Sequence, residues 1–356
     1  MSKPTAFASG SYGCMYRPTF PCMHADNPLQ EKMRTATVPL VGKLMANRED
    51  VKAEIESAAL VLEADPLSEF TIAPIGSCNV VAKMSDLDNC DSVTKKLKKR
   101  LEKSNHIPQL VVEDGGRDLA YHMMKADTSV ITILRAAKRL VKGLIAFKEH
   151  KIVHMDIKPE NVVFNGTSLK LIDHGLMMAV DCTFYKRLRS FGMFHYSYPW
   201  YPPEFDWLSK IEMGRKNFKS DEENTDIREC ITVTRIPKVD THRERDLAHM
   251  DRKLKDILSP PMESMYRYMS ISKKMFWSKI DVYSLGITLG EFFAEKRGHH
   301  GMTPHQVDAF VEWVSGASHF NVFKRFTPEE SYASYKLIFK DEHVQPSPKK
   351  YAHPPK

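Results

Sequence analysis

The chain has 356 residues, 42% of them apolar and 27% charged, and carries a formal charge of +7. That composition allows a sizeable core and excludes wholesale disorder. The mild positive charge suits a protein that handles phosphates or acidic partners, and without a concentrated basic face nucleic acid is not indicated. No stretch is long and apolar enough to span a bilayer. No apolar run follows Met1-Ser2-Lys3-Pro4, so no secretion signal is expected. The six cysteines (Cys14, Cys22, Cys78, Cys90, Cys182, Cys230) lack Cys-x-x-Cys spacing. They read as reduced thiols of an intracellular, cytoplasmic protein, with neither a metal site nor a dense disulfide framework.

In chain order, Ala8-Ser9-Gly10-Ser11-Tyr12-Gly13-Cys14-Met15-Tyr16 is a glycine-rich turn. Backbone amides in such a turn approach phosphates closely, because no side chain intervenes. Residues 40–45 predict a strand that carries Lys43. Residues 49–64 predict a helix, with acidic residues in its first turn and Ile55, Ala58, Ala59 and Leu62 at helical spacing; Pro66 closes it. Residues 72–75 and 79–83 predict short strands around a turn at Gly76-Ser77. The basic run 95–103 reads as a solvated helix face in preference to a docking site for acidic groups. Leu110-Val111-Val112 predicts a buried strand. Residues 130–148 predict a helix with Leu134, Ala137, Val141, Leu144 and Ile145 along one stripe. Strands at 161–164 and 169–172 flank an Asn165-Gly166 turn. Residues 205–279 are charged and weakly patterned, 281–293 predict a buried helix, and the Pro- and Lys-rich end from Ser347 predicts disorder. A strand-rich front with one helix and a mainly helical back suggest two lobes around a cleft.

The strongest chemical signal is His154-Met155-Asp156-Ile157-Lys158-Pro159-Glu160-Asn161. Phosphoryl transfer needs a carboxylate to orient the attacking hydroxyl and take its proton. It also needs a cation near the transferring group and an oxygen ligand for magnesium; Asp156, Lys158 and Asn161 are of those types. Leu171-Ile172-Asp173-His174-Gly175 delivers a second carboxylate from an apolar strand, suited to hold magnesium.

These segments resemble the catalytic loop and the Asp-Phe-Gly motif of the eukaryotic protein kinase superfamily, with His174 in the Phe place. The resemblance covers about residues 5–335. It implies an α+β, bilobal protein kinase fold: a small strand-rich N-lobe at 1–112 and a larger helical C-lobe at 113–342. The C-lobe would hold a long insertion at about 205–279, and a basic tail would follow at 343–356. It further implies ATP- and Mg²⁺-dependent phosphorylation of serine or threonine in protein substrates. Ala8, Ser9, Gly10, Ser11, Tyr12, Gly13 and Met15 would cover the nucleotide, and Glu113 and Asp114 belong to the adenine hinge. Lys43 would grip the phosphates, Asp156 and Lys158 would act at the reacting group, and Asn161 and Asp173 would bind metal. Glu54 and Glu56 both qualify as partner of Lys43. Glu56 is preferred, because Leu60 four residues on can pack toward His174 and because of its distance from Pro66. Glu204, Arg325 and Asp281 resemble the family's scaffold residues.

The sequence departs from the family at Ala8, at His174, and at Met155, which replaces an arginine that receives an activation phosphate. A thioether cannot do that, so activity is expected not to depend on phosphorylation at Ser197. The divergence resembles kinases of large DNA viruses, which would place the protein in a host cytoplasm or virion. The insertion is a candidate docking site for a partner. A pseudokinase scaffold that binds nucleotide is the alternative; a kinase-fold enzyme acting on a small molecule is disfavoured by Pro203-Glu204 and Asp281.

Overall fold

A computed structural model describes residues 3–9, 13–24, 26–88, 90, 94–181, 199–202, 277–296, 301–319, 322 and 324–340. The first part contains β1 (Thr5–Ser9), β2 (Gly13–Arg17), β3 (Cys22–His24), α1 (Asn27–Thr35), β4 (Leu40–Met45), α2 (Arg48–Ala64), β5 (Gly76–Val81), α3 (Thr94–Leu101) and β6 (His106–Glu113). Its six strands form one antiparallel sheet in the order β1-β2-β4-β6-β5-β3. Tyr16, Leu44, Val80, Leu97, Ile107 and Val111 fill the core of this sheet.

The chain then forms β7 (Arg117–Asp118), α4 (Leu119–Met124), α5 (Val130–Glu149), β8 (Ile152–Val153), β9 (Val162–Phe164), β10 (Leu169–Leu171), β11 (Met178–Ala179), α6 (Ile280–Glu295), α7 (Pro304–Ala317) and α8 (Pro328–Leu337). Two small sheets, β10-β9-β7 and β11-β8, lie among these helices. α5 presents Leu134, Ala137, Val141 and Leu144 to a second core shared with Leu285, Phe292, Phe310, Trp313 and Tyr335. α6 is buried without interruption from Ile280 to Gly290, as its nearly unbroken apolar sequence requires. α7 and α8 each begin with a threonine, Thr303 and Thr327, in a capping box followed by proline. No helix among the described residues is long and apolar enough to cross a membrane.

Three expectations need correction. Residues 72–75 are not a strand, and Gly76-Ser77 is not a turn but the start of β5. Pro74 has no N–H for a ladder. Upstream of it, the buried Asp65 carboxylate accepts the backbone N–H groups of Glu69, Phe70 and Thr71 and the Thr71 hydroxyl, turning the chain after α2. The buried face of α2 is Val51, Glu54, Ala58, Val61 and Ala64; Ile55 and Leu62 face outward. Four cysteines are paired and are not free thiols. Cys22 and Cys78 form a disulfide between the neighbouring strands β3 and β5, with Cα atoms 5.6 Å apart. Cys14 and Cys90 form another, with Cα atoms 5.9 Å apart.

The basic run forms α3, which buries Leu97 and exposes Lys95, Lys96, Lys98 and Lys99. Gly10, Ser11, Tyr12, Ser197, Glu204, positions 205–276 of the insertion and the tail lie outside the described residues.

Candidate active site

Strand β4 sits between β2 and β6, so Lys43 is set opposite Met15 on one side and Leu110 on the other. Its ammonium lies 2.5 Å from Glu54 Oε1 and 3.6 Å from Asp173 Oδ2. Burial opposes the charge on Lys43, but the Asp173 and Glu54 carboxylates outweigh it and hold its pKa above the ordinary value. Burial likewise opposes ionisation of Asp173, and Lys43 overrides it, pulling that carboxyl below its usual range. Asp173 adopts a left-handed backbone, φ 61°. A non-glycine residue in this region is uncommon and marks a constrained site.

Glu56 does not reach this site. It is exposed on α2 and pairs with Lys52 at 3.5 Å. Glu54 occupies the inward face because it shares the helical stripe of Val51, Ala58 and Val61. Ala58 is buried on the same stripe as Glu54, whereas Leu60 is only partly buried, so Leu60 was a misleading guide.

The segment from His154 to Asn161 is anchored from behind. Asp281 on α6 accepts the N–H groups of His154 at 2.7 Å and Met155 at 3.1 Å. Burial raises the Asp281 carboxyl to about 6, against the pull of those two N–H groups. Met155 takes φ 71°, which turns the chain so that Asp156 faces forward. The Asn161 amide donates to Asp156 O and to Asp156 Oδ2, each at 2.8 Å. Lys158 Nζ lies 3.0 Å from Asp156 Oδ2. With its NH₂ so committed, Asn161 turns its amide oxygen the other way.

A cavity of about 200 Å³ opens between the six-stranded sheet and these segments. Of the residues picked out in the sequence, Ala8, Ser9, Gly13, Met15, Lys43, Glu113, Asp114, Asn161 and Asp173 line it; so does Glu54. Asp156 and Lys158 stand beside it through Asn161. Asp114 receives a two-pronged ion pair from Arg17, both contacts at 2.5 Å, and its Oδ1 caps the Gly116 N–H. Arg117 donates to the Phe7 carbonyl at 2.9 Å, and Arg17 stacks on the Phe7 ring at 4.4 Å. Phe7, Arg17 and Arg117 thus tie β1 to the segment from Asp114 to Arg117; no motif in the sequence marks them. Val41, Ile72 and Val163 supply apolar walls.

His174 is buried beneath Asp173 and bonds through Nε2 to the Ile72 carbonyl at 3.0 Å. Its ring meets His154 edge-on, with centroids 5.4 Å apart. Burial drives His154 down to about 4 and His174 to about 3, so both rings are neutral.

Met155 has no ionic role. It is buried with Val153, Met178, Trp277, Ile280 and Val322. Arg325 is buried too, stacked on Tyr283 at 4.7 Å and donating to the His319 carbonyl at 2.9 Å.

The family model described as the protein kinase domain matches residues 81–217. No curated protein matches the chain. The matched stretch holds the anchored Asp156 loop and Asp173, and the α+β content fits that fold. The match supports a place for this chain in the protein kinase superfamily and phosphotransfer as its chemistry.

Proposed function

We propose that the protein transfers the γ-phosphoryl group of ATP, with Mg²⁺, to serine or threonine hydroxyls of proteins. The observation that carries this reading is the buried cluster in which Lys43 meets Glu54 at 2.5 Å and Asp173 at 3.6 Å. An ammonium held charged by two carboxylates in a cavity is suited to phosphate oxygens.

The donor set fits a magnesium ion. The Asp173 carboxylate and the Asn161 amide oxygen are hard ligands of the kind magnesium takes, together with substrate phosphate. When bound, the ion would neutralise charge on the phosphates. The apolar walls Val41, Ile72 and Val163 suit an adenine ring, with the hinge backbone at Glu113 and Asp114 beside its edge. Asp156, oriented by Asn161 and Lys158, takes the proton of the attacking hydroxyl. Lys158 offsets charge on the transferring group. Serine or threonine as acceptor rests on Lys158 and its resemblance to that branch.

In this reading the chain is bilobal, with its lobes at 1–112 and 113–342. The sheet has a core of its own, which supports a separate first lobe, although Val61, Ala64 and Phe70 pack with the helical core. The insertion at 205–279 remains our proposed docking segment; the Cys14–Cys90 and Cys22–Cys78 pairs remove the cysteine argument for cytoplasmic residence.

Transfer from labelled ATP to a generic basic protein tests the reading, with Asp173→Ala as control. Wild-type transfer onto serine or threonine, lost in the variant, is the expected result. No transfer by either, with nucleotide still raising the Tm, would overturn it in favour of a pseudokinase.

A further inference from the structure

Strand β1 ends the six-stranded sheet, so one of its edges has no strand partner among the described residues. Its pairing with β2 also slips. Ala6 stands opposite Tyr16 and Ala8 opposite Met15, which leaves Phe7 as the extra residue of a bulge. A bulge interrupts the ladder and re-aims the chain. The Phe7 carbonyl accepts from Arg117 Nη1 at 2.9 Å.

Arg117 belongs to the other side of the cavity. It opens β7, which pairs with β9 so that Arg117 stands opposite Phe164. β9 begins directly after Asn161, and β10 beside it leads into Ile172 and Asp173. Gly116, with φ 88°, fixes the entry to this strand, because a Cβ there would stand 2.1 Å from the Phe164 carbonyl oxygen. The Arg117 guanidinium lies 5.3 Å from the centre of the Phe7 ring and 4.9 Å from that of Tyr121. Arg17, held by Asp114, takes the Phe7 ring at 4.4 Å, and Lys125 takes the Tyr121 ring at 5.1 Å. All four contacts are within cation–π reach. Cations and rings thus alternate from β2 across β1 and β7 to α4. They join the two sheets that flank the cavity, and Phe7 itself lines it.

We propose that Arg117 is a positioning residue that clasps β1 to the β7–β9 sheet and so sets how long a nucleotide stays in the cavity. The inference rests on the proposed phosphotransfer reading for the identity of the occupant. With the clasp closed, Phe7, Ala8 and Ser9 are held against the nucleotide. Without it the free edge of β1 can lift and the nucleotide leaves sooner, while Lys43, Asp156 and Asp173 keep their partners.

Release of mant-labelled ADP from the full chain, followed by stopped flow, tests the clasp. Arg117→Ala should speed release about tenfold, the scale of one charge-assisted hydrogen bond. It should raise the KM for ATP by a similar factor and change kcat at saturating ATP by less than about twofold. Arg117→Lys keeps the charge and a donor but not the planar face, and should fall between. Phe7→Leu keeps the carbonyl and removes the ring; it should speed release about threefold, and it serves if Arg117→Ala does not fold. A residue that only supported the fold would lower the Tm and the active fraction without splitting KM from kcat. In the protein without nucleotide, amide hydrogen exchange over Thr5–Ser9 should quicken in Arg117→Ala. Unchanged exchange there would overturn the clasp whatever the ADP result. A folded Arg117→Ala that releases labelled ADP at the wild-type rate would overturn it and leave the phosphotransfer reading standing. A wild type that binds no labelled ADP would overturn that reading and the clasp's role in nucleotide retention together.

Discussion

Glu54, and not its neighbour one half-turn on, closes on Lys43 at 2.5 Å. Glu54→Gln should therefore lower phosphate transfer by about 10–100-fold, because the buried ammonium loses its compensating charge. Glu56→Gln, which removes only an exposed pair with Lys52, should change it by less than about twofold. Steady-state transfer assays on the two variants check this; equal losses would refute the assignment.

Met155 occupies an apolar pocket, so no arginine waits there for an activation phosphate. Ser197→Ala should leave turnover within about threefold of wild type, because position 155 offers no cation to receive a phosphate. Met155→Arg should destabilise the fold by about 2–4 kcal/mol, since it buries an unpaired cation. Denaturant unfolding of one variant and kinetics of the other give the two readouts.

The Cys22–Cys78 bridge spans 56 positions. Opening it by Cys78→Ser should reduce stability by about 2–4 kcal/mol through the freedom returned to the unfolded chain. Calorimetry with and without reductant distinguishes the cause. Under oxidising conditions the variant should melt below wild type, and reductant should shrink the gap. A gap indifferent to reductant would mean the substitution acts through packing alone.

Glu291 on α6 accepts from the Trp200 indole at 3.0 Å. Burial pushes its carboxyl up from 4.5 to about 7, while the indole N–H pulls the other way. A raised pKa in the folded state means its stabilising effect is complete below pH 4.5 and fades as pH rises through 7. The Tm of Glu291→Gln relative to wild type should therefore climb between those pH values and level off above them. A flat difference across that window would argue that the carboxyl ionises freely in the fold.

Much of the architecture was readable in the residues because apolar periodicity and burial coincide there. The run Leu40–Met45 is a strand at those bounds, and α5 begins and ends within a residue of the predicted helix. The segment from Asp156 to Asn161 was readable because its chemistry is local. What escaped is what depends on distant partners. The cysteine pairs lie 56 and 76 positions apart, and nothing in their spacing names the partner. The tether from Phe7 to Arg17 and Arg117 escaped for the same reason. α1 escaped because it is polar and buries little beyond Leu29, although Asp26 as cap and Pro28 in the first turn announced it. The choice between Glu54 and Glu56 failed on a finer point. Leu60 looked like the better inward anchor, but the buried stripe of the helix runs through Val51, Glu54, Ala58 and Val61.

Gly42 precedes Lys43 on β4, and a Cβ there would stand 2.1 Å from Gln109 Oε1. That fully buried amide grips both the N–H and the carbonyl of Phe20. The two positions are therefore one structural choice made twice: with glycine at 42 the amide fits, and with alanine it must leave and release Phe20. Any homologue that carries alanine beside its strand lysine should carry a shorter side chain at the position of Gln109, and should hold the segment after β2 by some other means.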